Sequence, residues 1–198
     1  MKRQGFTLVE LAIVLVIIGI IMGAILKGKD LIENARIKKL GTAVMRWEAA
    51  QWTFLDRYGR FAGDSNLSGI IYDDSSENVK NDFDNAKWAG GEPSQRINIG
   101  DKTFYLFFGN DGSKKNIIVV CVDDKCNTKF STANVLPYIK GLDTMIDGHY
   151  DGADGNVRCV DKPDDVNNSG KWEVKYNSSP TSVSCDNAKA LVYYFDTN

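Results

Sequence analysis

Residues Phe6 to Leu26 read FTLVELAIVLVIIGIIMGAIL, 21 residues that are apolar except for Thr7, two glycines and a single acid, Glu10. At about 1.5 Å per residue, a helix over this run is as long as the hydrocarbon core of a bilayer is thick. Such a segment needs lipid or protein around its whole circumference. Glu10 is the anomaly within it. A charge at the centre of a membrane helix costs roughly 2.5–3.5 kcal/mol on insertion scales, less near the surface, and calls for a cationic partner.

A short basic leader, Met1-Lys-Arg-Gln-Gly5, stands directly in front of the run. Beyond Leu26 the chain continues Lys27-Gly-Lys-Asp30 with no A-x-A-like site, so the apolar segment is expected to stay in the mature protein rather than leave as a secretory signal. Lysine and arginine placement leaves topology open, because Lys2 and Arg3 compete with Lys27, Lys29 and Arg36. The cysteines decide it. Cys121, Cys126, Cys159 and Cys185 all lie well past the apolar run, and an even count there points to disulfides and an oxidising compartment. Zinc is the weaker alternative, since Cys121-x4-Cys126 lacks a second close pair and His149 is the sole histidine. Four cysteines allow three pairings, of which locality favours Cys121–Cys126 with Cys159–Cys185.

No proline precedes Pro93, and nothing forces a helix begun at Phe6 to stop before Tyr58-Gly59. Past the span, apolar residues recur at Leu31/Ile32, Ala35, Leu40, Val44, Trp47, Gln51/Trp52 and Leu55, the spacing of one amphipathic stripe. The pattern predicts one helix of about 50 residues, roughly 75–80 Å long, apolar all round and then on one face. Gly19, Gly23, Gly28 and Gly41 interrupt it. Gly19-x-x-x-Gly23 is compatible with close helix contact, though glycine is also simply common in membrane helices.

The stretch from Gly59 to Gly100 reads as a polar connecting region with Ile70, Ile71, Tyr72, Phe83 and Trp88 as anchors. Thr103–Phe108 and Asn116–Val122 flank an Asp111-Gly112 turn and are nearly continuously apolar, the mark of central strands with one face on the helix. Ala133–Ile146 has helical spacing and ends at Asp147-Gly148; Lys171–Tyr176 and Ala190–Phe195 are further strands. The fold class is therefore α+β, a long N-terminal helix packed on an antiparallel sheet. The expected domains are a leader 1–5, an apolar helix 6–26, an amphipathic helix 27–58 and a globular head 59–198.

Charge divides along the same lines. Lys27 to Tyr58 holds seven Lys/Arg and four Asp/Glu, net +3; from Gly59 onward fifteen face twenty-one, net −6. An acidic head repels phosphates, so nucleic acid is not an expected partner. No G-x-S-x-G, H-E-x-x-H, P-loop or dinucleotide fingerprint occurs, and the Asp147/Asp151 carboxylates read as solvated loop acids, so no enzyme is expected.

Gly5-Phe6-Thr7-Leu8-Val9-Glu10-Leu11, after a basic leader and before the apolar run, closely resembles the N-terminus of type IV pilins and type II secretion pseudopilins. The strong resemblance covers about 30 residues. Tyr58-Gly-Arg-Phe-Ala-Gly-Asp64 also looks like the YGxxPGD stretch of one pilin-like group, with Ala62 in place of the proline. The resemblance implies a pilin-like fold with a C-terminal disulfide loop. It also implies cleavage by a prepilin peptidase between Gly5 and Phe6, N-methylation of Phe6, and assembly with other pilin subunits on an inner-membrane platform. Glu10 would then meet the Phe6 amine of a neighbouring subunit. The expected role is a subunit of a type IV pilus, as a minor pilin, with a secretion pseudopilin or an adhesin-type tip pilin as alternatives. The precursor would sit in the inner membrane with its head outside the cytoplasm, then move to an extracellular pilus or periplasmic pseudopilus. Many pilins carry a proline near the end of the apolar segment, where this chain has Lys27-Gly28. Calcium occurs in some pseudopilin heads, and Asp151, Asp154 and Asn156 are the candidate ligands here, against a turn-rich loop held by Asx side chains. No other cofactor is expected.

Overall fold

The computed structural model describes residues 7–74, 76–86, 94–167 and 171–196. The chain divides into two compact units, Met1–Arg36 and Ile37–Asn198. The first element, helix α1, covers Leu8–Tyr58, 51 residues, and contributes to both. It ends where the sequence predicts, with the Gly59 N–H donating to the Leu55 carbonyl at 2.8 Å.

Within the second unit α1 is buried along Leu40, Val44, Trp47, Gln51 and Phe54, at steps of four, three, four and three. Four of these five belong to the predicted stripe. Leu31 and Ile32, predicted to lie on it, are exposed, and Trp52 is half-exposed. Helix α2 (Val79–Asn85) falls inside the stretch read as a connecting region. Strands β1 (Arg96–Ile99), β2 (Lys102–Asn110) and β3 (Asn116–Cys121) follow. The predicted helix 133–146 is two pieces, α3 (Phe130–Ala133) and α4 (Leu136–Asp147). Asn134 between them is left-handed, and Pro137 in the first turn of α4 favours a fresh start there. Strands β4 (Val157–Val160), β5 (Asp165–Asn167), β6 (Glu173–Lys175) and β7 (Ala190–Tyr194) complete the chain. Trp88 lies outside the described residues.

The strands form one sheet in the order β4-β7-β3-β2-β6-β5, with β1 also paired to β2. It is mixed rather than wholly antiparallel: β6 runs parallel to β2, with Phe108 opposite Glu173 and Asn110 opposite Lys175. The outer β5–β6 pair is antiparallel, but its inner strand reaches β2 only after the long crossover through β3, α3, α4 and β4, and a crossover leaves strand direction free. Sequence locates a strand at 171–176 and carries no record of its direction.

The apolar run of the central strands has two faces. Phe104, Leu106 and Phe108 of β2, Ile118 and Val120 of β3 and Leu191 of β7 share a core with the α1 stripe, α2 and α4. Phe107, Ile117, Val119, Val192 and Tyr194 form a second cluster on the opposite face with Val160, Val174 and Tyr176. Trp47 centres the first core, its ring 5.1 Å from Phe83, 5.1 Å from Phe108 and 5.6 Å from Trp172. Gly41 on α1 and Gly141 on α4 allow those helices to touch. A Cβ on Gly41 would collide with the Met145 side chain, and one on Gly141 with Ile37.

The region 59–86 has little ladder of its own, and its backbone polar groups need partners. Buried side chains supply them. The Gln51 amide donates to the Ala62 carbonyl at 3.2 Å and accepts from its N–H at 3.0 Å. Arg60 holds Asp82 bidentately at 2.7 and 2.8 Å, and Asp82 accepts from Gly63 N–H. Asp64 accepts from the Ser68 and Gly69 N–H groups, and Glu77 from those of Ser65 and Asp73. Asn116 accepts from Ile71 N–H while Asn110 donates to the Ile71 and Tyr72 carbonyls.

Glu173 is the extreme case. It is fully buried, accepts from Val79 N–H at 2.9 Å through one oxygen, and its other oxygen has no hydrogen-bond partner. Burial pushes its carboxyl up to about 8, further supported by the charges of Glu77 and Asp82 and opposed by Lys171. The native state therefore keeps a proton that the unfolded chain loses near pH 4.5, so the contribution of Glu173 to stability is fully present below that value and is lost as pH rises towards 8. The expected slope is up to roughly 1.4 kcal/mol per pH unit. Urea unfolding of wild type and Glu173→Gln between pH 5 and 8 should show the variant gaining on wild type as pH rises; parallel curves would remove the buried proton.

Candidate functional site

Gly5 and Phe6, the predicted processing pair, lie outside the described residues. Thr7 precedes the first turn of α1 and Glu10 falls in that turn. Glu10 Oε2 accepts from the Thr7 N–H at 2.7 Å and from its hydroxyl at 2.9 Å, while the Glu10 N–H donates to Thr7 Oγ1 at 3.3 Å. The arrangement is a capping box, in which cap hydroxyl and third-residue carboxylate each satisfy an orphan backbone donor. Glu10 Oε1 makes no hydrogen bond among the described residues. The carboxylate is thus divided: one oxygen starts the helix and the other is open to a partner.

Thr7-x-x-Glu10 before an apolar run is itself a sequence signature of a helix start. Weighing Glu10 as a buried charge alone passes over it.

Every residue from Thr7 to Leu26 is exposed. Leu8 is 85% exposed and Leu15 and Leu26 each 69%, values a water-soluble helix of this composition does not sustain. An 18-residue window of α1 reaches a mean hydropathy of 2.9 with none of it buried, so the helix is long and apolar enough to cross a membrane.

The head carries both predicted disulfides, Cys121–Cys126 and Cys159–Cys185, with Cα–Cα separations of 5.2 and 5.1 Å. The first staples the loop leaving β3. The second ties β4 to the segment preceding β7.

The candidate calcium ligands lie in the loop between α4 and β4. Asp151 Oδ1 accepts from the N–H groups of Ala153 and Asp154 at 2.9 Å each, and its Oδ2 lies 2.8 Å from His149 Nε2. The Asp147 carbonyl, followed by the Asp151 carboxylate, raises the His149 pKa. Asp147 accepts from the Asn156 and Val157 N–H groups, and buried Asp143 from those of Asp151 and Gly152. Among the described residues no group of three or more His, Cys, Asp or Glu is placed to hold a metal ion. Asx hydrogen bonds order the loop that carries Asp151, Asp154 and Asn156.

An uncovered apolar helix opened by a capping-box acid, followed by a disulfide-stapled α+β head, suits a membrane-anchored precursor. Residues 1–26 match the family described as the prokaryotic N-terminal methylation motif. That match supports the type IV pilin and pseudopilin family, and with it processing by a prepilin peptidase and assembly with other pilins. No curated protein and no solved structure matches the chain.

The two disulfides close loops of different length, with sequence separations of 26 and 5. Replacing Cys159 and Cys185 by serine should cost about 3.5 kcal/mol, against about 2 kcal/mol for Cys121 and Cys126, on loop-closure entropy. Chemical denaturation of the full chain measures both; a larger loss from the short loop would contradict that account.

Proposed function

We propose that this chain is a structural subunit of a type IV pilus, a minor pilin, inserted in the inner membrane with its head outside the cytoplasm and polymerised through α1 after its leader is removed. The divided carboxylate of Glu10 carries the reading. Cleavage between Gly5 and Phe6 would create an amine at Phe6, and N-methylation would leave it able to carry charge. That amine on a neighbouring subunit is the cation that the open oxygen of Glu10 lacks. Two charges that neutralise each other in a single axial register specify that register even where their net energy is modest. The exposed apolar surface of Leu8 to Leu26 supports the same reading, since neighbouring copies can cover it once it leaves lipid. The head then serves as the outer surface and performs no catalysis.

A secretion pseudopilus would use the same processing and the same helix, and an adhesin-type tip subunit the same anchor. Recovery of the chain in filaments sheared from the cell surface favours the pilus; a chain confined to the periplasm in a secretion-competent cell favours the pseudopilus.

The two roles of Glu10 separate by substitution. Glu10→Gln retains an acceptor for the Thr7 cap but no charge, and Thr7→Ala retains the charge but no cap hydroxyl. Glu10→Gln is expected to insert and be processed normally yet give filaments reduced by about an order of magnitude or more, the cost of leaving one partner of a close charge pair. Thr7→Ala is expected to assemble, with a helix start weakened by about 1 kcal/mol. Normal filament yield from Glu10→Gln, measured beside the processed membrane pool, would refute charge pairing. At the junction, Gly5→Ser should leave an uncleaved precursor, seen by the mass of the N-terminal peptide; a mature Phe6 terminus in that variant would count against Gly5 as the recognition residue.

A further inference from the structure

The head is acidic, yet one cleft in it is basic. Lys39, Thr42, Ala43, Arg46 and Trp47 of α1 face Ser94 and, on β1, Arg96, Ile97 and Asn98 across about 630 Å³. Lys39 is committed to structure, donating to the Asn98 carbonyl at 3.0 Å. Arg96 lies over the Tyr105 ring at 5.9 Å. Arg46 makes no hydrogen bond or ion pair among the described residues. Three cations around a cleft with an apolar floor of Ala43 and Ile97 form a receptor for an anionic group, and none of the described lining residues is an acid.

The matching anion lies on the same chain. Between Lys140 and Arg158 there are four acids, Asp143, Asp147, Asp151 and Asp154, and no lysine or arginine. Asp143 is buried; the segment Asp147–Asn156 forms a loop in which Asp154 and the 41%-exposed Tyr150 face solvent. Asx hydrogen bonds hold this loop in shape, so little order remains to be imposed when it docks. None of its residues lines the basic cleft.

We propose that the basic cleft of one subunit receives the Asp147–Asn156 loop of the next copy of this chain. The proposal rests on the polymer-forming reading above and names a contact between heads within it. Cleft and loop are different surfaces, so a single contact between two copies leaves a cleft free on one and a loop free on the other, and repetition of it propagates head to tail. That is the symmetry of an open helical filament. The basic neck and acidic head thereby become complementary halves of one repeating contact, which steers the approach of subunits as well as holding them.

Charge exchange tests it in the full chain, expressed in cells that assemble wild-type filaments. Arg46 has no described partner and the Asp154 side chain makes none of the loop's hydrogen bonds, so both can be reversed without removing a contact that folds the head. Arg46→Glu alone and Asp154→Arg alone should each lower sheared filament yield by about tenfold, and the double variant should recover most of it. The processed membrane pool should stay constant throughout. Wild-type filaments with undiminished single variants, or a double variant no better than the worse single one, would overturn the contact while leaving the polymer reading intact. A wild-type chain that forms no filament overturns both. Unchanged filaments together with loss of polyphosphate binding by Arg46→Glu would overturn it in favour of a free polyanion as the cleft's ligand.

Discussion

The stripe Leu40, Val44, Trp47, Gln51 and Phe54 on α1 organises the head. Four of its members are apolar and pack into the core with β2, β3 and β7; the fifth, Gln51, is polar and equally buried. Burying an amide is tolerable only when its hydrogen bonds are satisfied. Gln51 achieves this by clasping both polar groups of Ala62, which fixes where the chain goes after the helix turns at Gly59. From that point Arg60, Asp64, Glu77 and Asp82 continue the pattern, each holding backbone that has no ladder of its own. Polar burial in this head is a substitute for secondary structure.

That substitution explains which parts of the fold the sequence discloses. The α1 helix, β2, β3, β7 and α4 come from periodicity and continuous apolar runs, signals that depend on residues close in the chain. The disulfides follow from locality among four cysteines. The β5–β6 pair, its parallel contact with β2, and α2 depend on partners far away: Val79 donates to Glu173 across 94 positions, and Asn116 accepts from Ile71 across 45. Asp, Asn, Ser and Gly between 59 and 86 look like a loop because their partners are not neighbours. The inward acids Glu77 and Glu173 cannot be told from solvated ones by composition, since only burial distinguishes them.

The functional segment has the opposite character. Glu10, Thr7 and the apolar run lie within twenty residues, so their meaning is local and legible. What a purely energetic reading of Glu10 passes over is that a residue near a helix start is also a helix-start residue. The Thr7-x-x-Glu10 spacing says so in the sequence, and the structure puts both groups in hydrogen-bond contact.

The cap also removes a difficulty in storing this helix in a membrane. A carboxylate in the middle of a bilayer would be held at large cost, but Glu10 sits in the first turn of α1. There the helix macrodipole presents its positive end, which favours an anion, and two hydrogen bonds from Thr7 reach one oxygen. The first turn also lies at the edge of the span, where the insertion penalty is smallest. The precursor can therefore carry its charge without a salt-bridge partner for as long as it stays in lipid. Passage from the bilayer into the proposed filament would remove water and headgroups from the remaining oxygen, and the demand for a cation would then become acute. In the proposed filament, a neighbour's N-terminal amine would meet that demand in one axial position and in no other. On the proposed function, tolerance in the membrane and selectivity in the polymer would thus come from the same carboxylate, through its two different oxygens.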